Sequence, residues 1–507
     1  MKFLRPGDTC WRIDLADRVA FLVDVQDYFA AARVALQKAR RSIQLIGWGF
    51  DPRTRLQPDG FEVGGEPDEM GRMLIDLARE RPDLDIHVLI WKSALPVAAS
   101  QEFFPHKAQA WFLGTRVRFR LDDAVPLGGC HHQKVLVIDD EVAFCSGGDF
   151  GVDRWDTVAH LDDDARRIDP SHDHHAPRHE VTMMVQGPVA RALGDYCRER
   201  WRRATDEVLP PAPTDRPGPD DDPWPSQFAP VLTDVPVAIA RTEPAWGGRS
   251  LVAEWQALTL RCIALAERTL YLENQYFTSP IIAEALAKRL AEPNGPEIVL
   301  ISTEHSPSYF DKLTMDRTRA IVIRRLQRAD VFGRFRAYSP HTPAGKPVIV
   351  HAKVTIVDDR MVRIGSANLN NRSGGLDTEI ELSIEARDDT DSEAIAGLRN
   401  RLVGHYFGRT GADVATAIAR RGGLIGAIDQ LNARGRFAPI DVLKLGPLAT
   451  FIAAYHLGDP LGVGDAWKPF KRKRLLDEAV RQIAAAPSLD QLGEAHSASS
   501  KSITSGK

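Results

Sequence analysis

Residues 132–139 read HQKVLVID, and residues 351–358 read HAKVTIVD. Both stretches follow the pattern H-x-K-x4-D, and each is followed at the same distance by a turn of small residues, SGGD at 146–149 and GSAN at 365–368. One copy of so short a pattern is weak evidence, because a histidine at a strand edge is more often structural than catalytic. Two copies in register indicate that a functional segment has been duplicated within the chain.

The residues after each motif lysine are mostly apolar and β-branched, which predicts a buried strand. Alternation along a strand places the histidine and the lysine of each copy on one face. The sequence therefore predicts that His132, Lys134, His351 and Lys353 converge at an interface between two halves of the chain.

The duplication extends upstream of the motifs. Residues 39–50 align with residues 266–277, and both segments predict a helix end that leads into an apolar strand. An amphipathic stretch with helical spacing precedes each of them, at 29–38 and at 255–265. Two homologous α/β halves follow from this repetition.

At this point the sequence resembles the phospholipase D superfamily. The resemblance rests on the paired H-x-K-x4-D motifs, on GGD at 147–149 leading to RWD at 154–156, on LENQYF at 272–277, and on GSAN at 365–368 with Arg372-Ser373. It covers roughly residues 10 to 410. The RWD and ENQYF elements look more like the phospholipase branch than like the short nucleases or the cardiolipin synthases of the superfamily.

The expected fold is α/β, with two homologous α-β-α sandwich halves that form a pseudo-dimer with one active site at their interface. We expect the first half at 1–203, a linker rich in Pro and Asp at 204–231, and the second half at 232–410. A helical C-terminal extension at 411–487 and a disordered tail of small polar residues at 488–507 complete the prediction.

Composition is that of a large enzyme with an ample core. The chain has 507 residues, of which 43% are hydrophobic and 26% charged, and a formal net charge of −4. This charge argues against a nucleic-acid partner. The five cysteines lack CxxC spacing and indicate neither a disulfide framework nor a zinc ribbon. The oligomeric state stays open and is compatible with a monomer.

The N-terminal residues MKFLRPGD contain no apolar run typical of a Sec signal peptide. The sequence also lacks a run of about 18 apolar residues, the length that predicts a membrane span. We therefore expect a protein that is either cytoplasmic or exported by another route, and that is not integral to a membrane.

The motif residues suit cleavage of a phosphodiester. The anionic charge of this group repels nucleophiles, so a site must offer cations to the non-bridging oxygens and an acid to the leaving oxygen. Lys134 and Lys353 can supply the cations, and Ser366 and Asn368 can add neutral hydrogen bonds to the same oxygens. The first copy has Gly147 and Asp149 in place of these two residues, which predicts an asymmetric phosphate site.

Two histidines can divide the remaining chemistry. One attacks phosphorus to form a phosphohistidine, and the other protonates the leaving alcohol and then activates water. The resemblance favours His132 as the nucleophile and His351 as the acid, whereas the residues themselves leave the assignment open.

Each imidazole needs a partner that fixes its tautomer. The resemblance implies that Glu379 is such a carboxylate, and its counterpart after the first motif is Glu180, at a longer spacing. The alternative for both is a surface acid at the start of a strand. Asp139 and Asp358 end the motifs, and we expect them to hold turns rather than transfer protons.

Residues 171–179, SHDHHAPRH, form a histidine-rich tract, and such tracts can bind zinc. A Pro-containing loop without cysteine is more often a solvated insertion than a metal site. In addition, two-histidine chemistry needs no metal to make a nucleophile. We therefore expect no metal and no cofactor in the reaction.

The run WKPFKRKR at 467–474 mixes aromatic and cationic residues. It fits either a solvated helix start or a contact with anionic lipid head groups, where each cation near the surface contributes about 1 kcal/mol.

The sequence thus leads to a phospholipase D that hydrolyses the head-group phosphodiester of glycerophospholipids to phosphatidic acid, with transfer of the phosphatidyl group to alcohols as a related activity. Phospholipid is the expected substrate, with peripheral contact at a membrane surface. The alternatives are a nuclease or a cardiolipin-synthase-like phosphatidyltransferase of the same superfamily, and a non-catalytic lipid-binding protein.

Overall fold

The structure, a computed structural model, describes residues 2–58, 68–93, 104–212, 222–440 and 446–486. The tail predicted for 488–507 and residues 213–221 of the predicted linker lie outside these ranges.

The first half of the chain alternates strands and helices. Its elements are β1 (Arg12–Val23), α1 (Val25–Lys38), β2 (Ser42–Gly47), α2 (Met70–Glu80), β3 (Asp85–Trp91), α3 (Pro105–Trp111), β4 (Arg118–Asp122), β5 (Val135–Ile138), β6 (Val142–Ser146), β7 (Arg178–His179), β8 (Val181–Gln186) and α4 (Pro188–Thr205).

The second half repeats this order and adds a helical insertion. Its elements are β9 (Leu232–Glu243), β10 (Val252–Ala253), α5 (Glu254–Leu265), β11 (Thr269–Asn274), α6 (Pro280–Ala291), β12 (Glu297–Ile301), α7 (Tyr309–Asp311), a π-helical turn (Lys312–Asp316), α8 (Arg317–Ala329), β13 (Phe335–Pro340), β14 (Ile349–Val350), β15 (Lys353–Val357), β16 (Met361–Gly365), α9 (Arg372–Gly375), β17 (Glu379–Glu385) and α10 (Asp389–Gly404).

One large sheet runs through both halves in the order β18-β13-β12-β11-β15-β16-β17-β9-β1-β8-β6-β5-β2-β3-β4, where β18 is residues Phe437–Pro439. Apart from β18 at one edge, the order is symmetric about the antiparallel pair of β1 and β9. Strands β5 and β15, which follow the two motif lysines, occupy equivalent places. The mixed α/β fold and its duplication agree with the sequence prediction.

The packing of the core joins the two halves. One cluster of buried apolar side chains contains residues of both halves, such as Tyr196 and Val185 from the first and Leu402 and Ile380 from the second. The opposite face of the sheet carries two clusters, one for each half. Burial of this shared apolar surface, at roughly 25 cal/mol per Å², favours a single two-half unit.

The two motif aspartates occupy identical turns. Asp139 and Asp358 both have positive φ angles, 55° and 54°, and each follows directly on its strand, β5 or β15. The carboxylate of Asp139 accepts the backbone N–H groups of residues 40, 41 and 42 at 2.7–2.8 Å, and that of Asp358 accepts those of residues 267, 268 and 269 at 2.7–2.8 Å. Each aspartate therefore fixes the start of the neighbouring strand, β2 or β11.

The region between the halves is not entirely a surface linker. Trp224 is buried with 3% exposure, and its ring lies under the guanidinium of Arg18. The indole N–H donates to the carbonyl of Phe228 at 2.9 Å. Burial of this aromatic ring anchors the Pro-rich connection between the halves.

The C-terminal extension packs on the second half. A 3-10 turn (His405–Phe407) ends the second half, and the extension contains α11 (Gly411–Arg421), α12 (Leu424–Leu431), the strand β18, α13 (Pro447–Ala454) and α14 (Pro469–Ala485). The extension is therefore not purely helical, because β18 pairs with β13 at the sheet edge. Within the described ranges, no helix combines the length and apolar character that a membrane crossing requires.

Candidate active site

The backbone holds each motif histidine against the opposite half. The N–H of His132 donates to the carbonyl of Thr378 at 3.1 Å, and the N–H of His351 donates to the carbonyl of His179 at 2.8 Å. Each of these carbonyls belongs to the residue just before a buried glutamate. The two motifs thus meet at the interface of the halves, and each lies beside the glutamate of the other half.

The side chain of His132 forms a well-aligned pair with Glu379. Its Nδ1 lies 2.9 Å from Oε2 of the glutamate, which is fully buried. Hydroxyl groups of Ser366 and Ser373 donate to the same carboxylate, the latter at 2.6 Å. An acceptor held in this way fixes the orientation of the ring and leaves Nε2 free.

The pair formed by His351 and Glu180 is looser. Nδ1 of His351 lies 3.2 Å from Oε1 of Glu180, and Nη1 of Arg154 lies 3.8 Å from the same oxygen. Neither oxygen of Glu180 accepts a hydrogen bond of standard geometry from the residues described. A guanidinium, rather than serine hydroxyls, is therefore the main support of this carboxylate.

The motif lysines are buried beside the histidines. Nζ of Lys134 donates to the carbonyl of His132 at 2.9 Å and lies 3.5 Å from Oδ2 of Asp149. Nζ of Lys353 donates to the carbonyl of His351 at 2.7 Å and to Oε1 of Gln275 at 3.3 Å. Both ammonium groups are thus fixed in position before a substrate arrives.

Burial and clustered charge shift the pKa values of these groups. Burial lowers the pKa of both His132 and His351 well below the usual value, and the lysine of the same motif lowers it further. Burial also lowers the pKa of Lys353 strongly, and the charge of Lys134 adds to this effect. The two lysines therefore act on one another across a single site.

The two glutamates shift in the opposite direction. Burial raises the pKa of Glu379 to about 7, although the hydroxyls of Ser366 and Ser373 stabilise its charged form. Burial likewise raises the pKa of Glu180, and the positive charge of Arg154 opposes this rise. Burial thus raises the pKa of both glutamates and lowers the pKa of both histidines.

Known proteins match this chain in sequence. Residues 259–399 match a family model described as "Cardiolipin synthase, PLD-like domain". The chain is 24% identical over 435 residues to "Phospholipase D A" of Dictyostelium discoideum, across 74% of this chain and 33% of that protein. It is 26% identical over 462 residues to "Phospholipase D1" of Saccharomyces cerevisiae, across 73% of this chain and 27% of that protein. These matches support the phospholipase D superfamily.

The chain spans a third or less of the length of these two curated relatives. Among solved structures, the phosphatidylserine synthase of Haemophilus influenzae Rd KW20 aligns with a TM-score of 0.52 at 15% identity, over 82% of this chain and 94% of that chain. This likeness shows that the two chains share a fold.

Ser366, which the sequence predicts as a phosphate ligand, contacts a glutamate in the structure. Its hydroxyl donates to Glu379 and accepts the N–H of Ile380 at 3.1 Å, so it is engaged in supporting the carboxylate. The side-chain Oδ1 of Asn368 is buried and accepts no hydrogen bond from the described residues. Of the two predicted phosphate ligands, Asn368 is therefore the one with a free polar atom.

Several residues of the site were not predicted from the sequence. Ser373 was noted only within the Arg372-Ser373 dipeptide, and Arg154 only within the RWD element. Asp459 of the C-terminal extension accepts the N–H groups of Asn371 and Arg372, at 3.1 and 2.9 Å, in the turn after the second motif. Asp459 lies far from the second motif in the sequence, so no local pattern indicates that it contacts this turn.

A substitution at Gly148 tests whether activity requires Glu180 in its present position. A Cβ atom at Gly148 would lie 1.4 Å from Oε2 of Glu180, so Gly148→Ala should displace this carboxylate from His351. We expect kcat for a phosphodiester to fall by about 100-fold, because a displacement of about 1 Å in a catalytic group costs that much. Steady-state kinetics, with thermal unfolding to verify the fold, would measure the effect.

The second half provides the matched control. Ala367 occupies the position equivalent to Gly148. The hydroxyls of Ser366 and Ser373, rather than this position, hold Glu379 in place. Ala367→Gly should therefore leave kcat near that of the parent protein. Equal losses in both variants would show that the turn, rather than the carboxylate, is sensitive.

Proposed function

We propose that this chain is a phospholipase D that hydrolyses the head-group phosphodiester of a glycerophospholipid to phosphatidic acid, and that it transfers the phosphatidyl group to primary alcohols. The observation that carries the proposal is the pairing of each motif histidine with a buried glutamate of the other half, beside two buried lysines. The names of the two curated relatives support a phospholipid substrate.

The lysines provide the electrostatic part of the mechanism. Lys134 and Lys353 supply two fixed positive charges to the non-bridging oxygens of the phosphodiester. Preorganised cations in a site that excludes water stabilise the charge that develops in the transition state. Asn368 can donate its side-chain N–H to the same phosphate.

His132 is the better nucleophile of the two histidines. Its Nδ1–H donates to the ionised carboxylate of Glu379, which leaves a lone pair on Nε2. Attack by Nε2 forms a P–N bond and breaks the bond from phosphorus to the head-group oxygen. The negative charge of Glu379 stabilises the positive imidazole of the phosphohistidine.

His351 then acts as acid and base. It gives a proton to the departing head-group alcohol, and in the second step it removes a proton from water, which attacks phosphorus and breaks the P–N bond. In the free site, burial together with the charges of Lys353 and Arg154 lowers the pKa of His351. The anionic phosphodiester offsets these positive charges, so substrate binding itself favours the protonated acid.

An exposed apolar surface next to the site fits contact with a membrane. Leu127, Trp467 and Phe470 are 79%, 72% and 70% exposed. The Trp467 ring lies beside Gly128, whose carbonyl accepts a hydrogen bond from Arg372 at the edge of the site. Exposed aromatics among the cations of the 467–474 run favour lipid contact over the alternative of a solvated helix start.

Phosphatidyl transfer in lipid synthesis is the second candidate function. The description of the matching family model names cardiolipin synthase, which supports this alternative. The same phosphohistidine can pass the phosphatidyl group to water or to an alcohol, so the acceptor decides between the two functions.

Head-group release would test the proposal directly. The purified protein, with a panel of phospholipids in vesicles, should release head groups and form phosphatidic acid, and added primary alcohol should divert the product to a phosphatidyl alcohol. A single-stranded DNA substrate serves as the nuclease control. Product formed only with a lipid alcohol as acceptor would favour the synthase, and cleavage of DNA alone would contradict the lipid proposal.

Trapping the intermediate would assign the histidines. Rapid acid quench and mass spectrometry should locate the adduct on His132. His351→Ala should still form the adduct from a substrate with a good leaving group but hydrolyse it slowly, whereas His132→Ala should form none. An adduct mapped to His351 would reverse the assignment.

The pH dependence follows from the pKa of Glu379. The ionised carboxylate is the active form, so kcat/KM should rise with increasing pH through about 7. Ser373→Ala removes a hydroxyl that bonds the ionised form, which should raise this pKa and move the acid limb upward by roughly one pH unit. The profile is measured with a chromogenic phosphodiester.

Ser146→Ala is the matched control for this shift. Ser146 lies in the turn directly after β6, where its hydroxyl accepts hydrogen bonds from Thr182 and from the N–H of Gly148 rather than contacting Glu379. The acid limb of the kcat/KM profile of Ser146→Ala should stay at the pH found for the parent protein. An unmoved limb in Ser373→Ala would show that Glu379 does not control the activity.

Vesicle binding would test the membrane contact. Replacing both Trp467 and Phe470 with Ala should weaken binding to anionic vesicles by about tenfold, equivalent to about 1.4 kcal/mol. Phe332→Ala is the control, because this ring is 50% exposed but lies between α8 and β13, outside the 467–474 run. Unchanged binding of the double variant in a sedimentation assay would contradict the proposed contact.

A further inference from the structure

A second cluster of polar side chains lies behind the active site. Asp24, His160, His179 and His405 each offer one potential metal-ligand atom, and these atoms all lie within 4.8 Å of one another. Asp24 joins β1 to α1, His160 follows the RWD element, and His405 follows α10 of the second half. The proposed phosphodiester chemistry does not use this cluster.

Three of these side chains present an unpaired atom. Oδ2 of Asp24, Nε2 of His160 and Nε2 of His405 are buried and form no hydrogen bond with the described residues. Asp24 and His160 are 1% and 0% exposed. Buried polar atoms without partners are costly, at about 1–3 kcal/mol each, so three of them in one place require an explanation.

The other polar atoms of the same side chains are already engaged. Nδ1 of His160 lies 2.9 Å from Oδ2 of Asp156, and Nδ1 of His405 lies 3.3 Å from the carbonyl of Arg401. Each acceptor places the imidazole proton on Nδ1 and leaves a lone pair on Nε2. A metal-binding histidine is oriented in the same way, by a carboxylate or a backbone carbonyl at its other nitrogen.

His179 has a different place in the cluster. Its Nδ1 lies 2.7 Å from Oδ1 of Asp24, and its Nε2 lies 2.9 Å from Oε2 of Glu273. Because both nitrogens bond carboxylates, neither is available to a metal. His179 binds Oδ1 of Asp24, while Oδ2 lies 3.6 Å from Nε2 of His160.

We propose that Asp24, His160 and His405 bind one divalent transition-metal ion, through Oδ2 of the aspartate and Nε2 of each histidine. Oδ2 and Nε2 of His160 are 3.6 Å apart. Two ligands at about 2.0–2.1 Å from zinc in tetrahedral geometry lie roughly 3.4 Å apart, so small shifts would complete the coordination. Two imidazoles and one carboxylate suit zinc, whereas calcium and magnesium prefer oxygen ligands alone.

The position of the site gives the ion a structural role. The N–H of Asp24 donates to the carbonyl of Glu180 at 2.8 Å, and Oδ1 of Asp24 accepts the N–H of Glu180 at 3.2 Å. Asp24 also keeps a φ of 69°, which is uncommon for a residue with a side chain and is retained where surrounding contacts enforce it. An ion held by Asp24 and His405 would tie the two halves together behind the Glu180–His351 pair.

The three proposed ligands lie outside the histidine-rich tract that the sequence suggested, although the last residue of the tract, His179, belongs to the cluster. His172 and His174 are exposed, and neither belongs to the clustered set. The tract therefore supplies a matched control for adventitious metal binding by histidine.

Metal content of the full chain, produced without a histidine tag, tests the proposal. After equilibration with zinc and gel filtration, elemental mass spectrometry should find one zinc ion per chain in the parent protein and in His174→Ala. His405→Ala should bind zinc more than about 10-fold more weakly in competition with a chromogenic chelator, since even an outer partner of a metal ligand is worth about 10–100-fold. Cobalt(II) bound to the parent should show the visible absorption of tetrahedral coordination.

Thermal unfolding keeps the test decisive where a variant folds poorly. Zinc should raise the Tm of the parent protein and of His174→Ala, and Asp24→Asn, which retains an oxygen for His179, should lose this response. Substoichiometric zinc in the parent, unchanged affinity in His405→Ala, or loss of binding in His174→Ala instead would each overturn the proposal. None of these measurements depends on phosphodiester cleavage.

Discussion

The hydrogen bond between His132 and Glu379 joins residues that lie in opposite halves of the chain. Its counterpart, from His351 to Glu180, crosses the interface in the other direction. Because a histidine without its carboxylate lacks a fixed tautomer, neither half contains a complete site. The central strand pair and the shared apolar core are therefore requirements of the site as well as of stability.

The two pairs have diverged in how their carboxylates are supported. Glu379 accepts two serine hydroxyls, whereas Glu180 lies near Arg154 and fills the space left by Gly148. The two hydroxyl groups stabilise the charged form of Glu379 without adding a positive charge beside it. A guanidinium competes with His351 for the charge of Glu180. Unequal partners for two similar imidazoles provide a physical basis for the unequal roles that we propose.

The sequence predicted the features that depend on local order. The motif strands, the turns after them and the duplication follow from apolar periodicity and small-residue positions, and β5 and β15 lie where the pattern places them. The crosswise partners could not be predicted, because spacing along the chain does not reveal which half a glutamate faces. The contact of Ser366 with Glu379 could not be predicted for a related reason: a hydroxyl near a motif can serve a phosphate or a carboxylate, and the sequence does not distinguish them.

The C-terminal extension shows how a distant segment becomes part of such a site. Asp459 is 1% exposed and accepts the hydroxyl of Thr278 at 2.7 Å as well as two N–H groups of the turn after the second motif. This turn carries Ser373, which supports Glu379. Removal of a buried carboxylate with three donors is costly, so Asp459 holds this turn against the C-terminal extension. The residues that follow Asp459 place Trp467 at the edge of the site. The segment that orders the second motif thus also forms the surface through which we propose that lipid approaches.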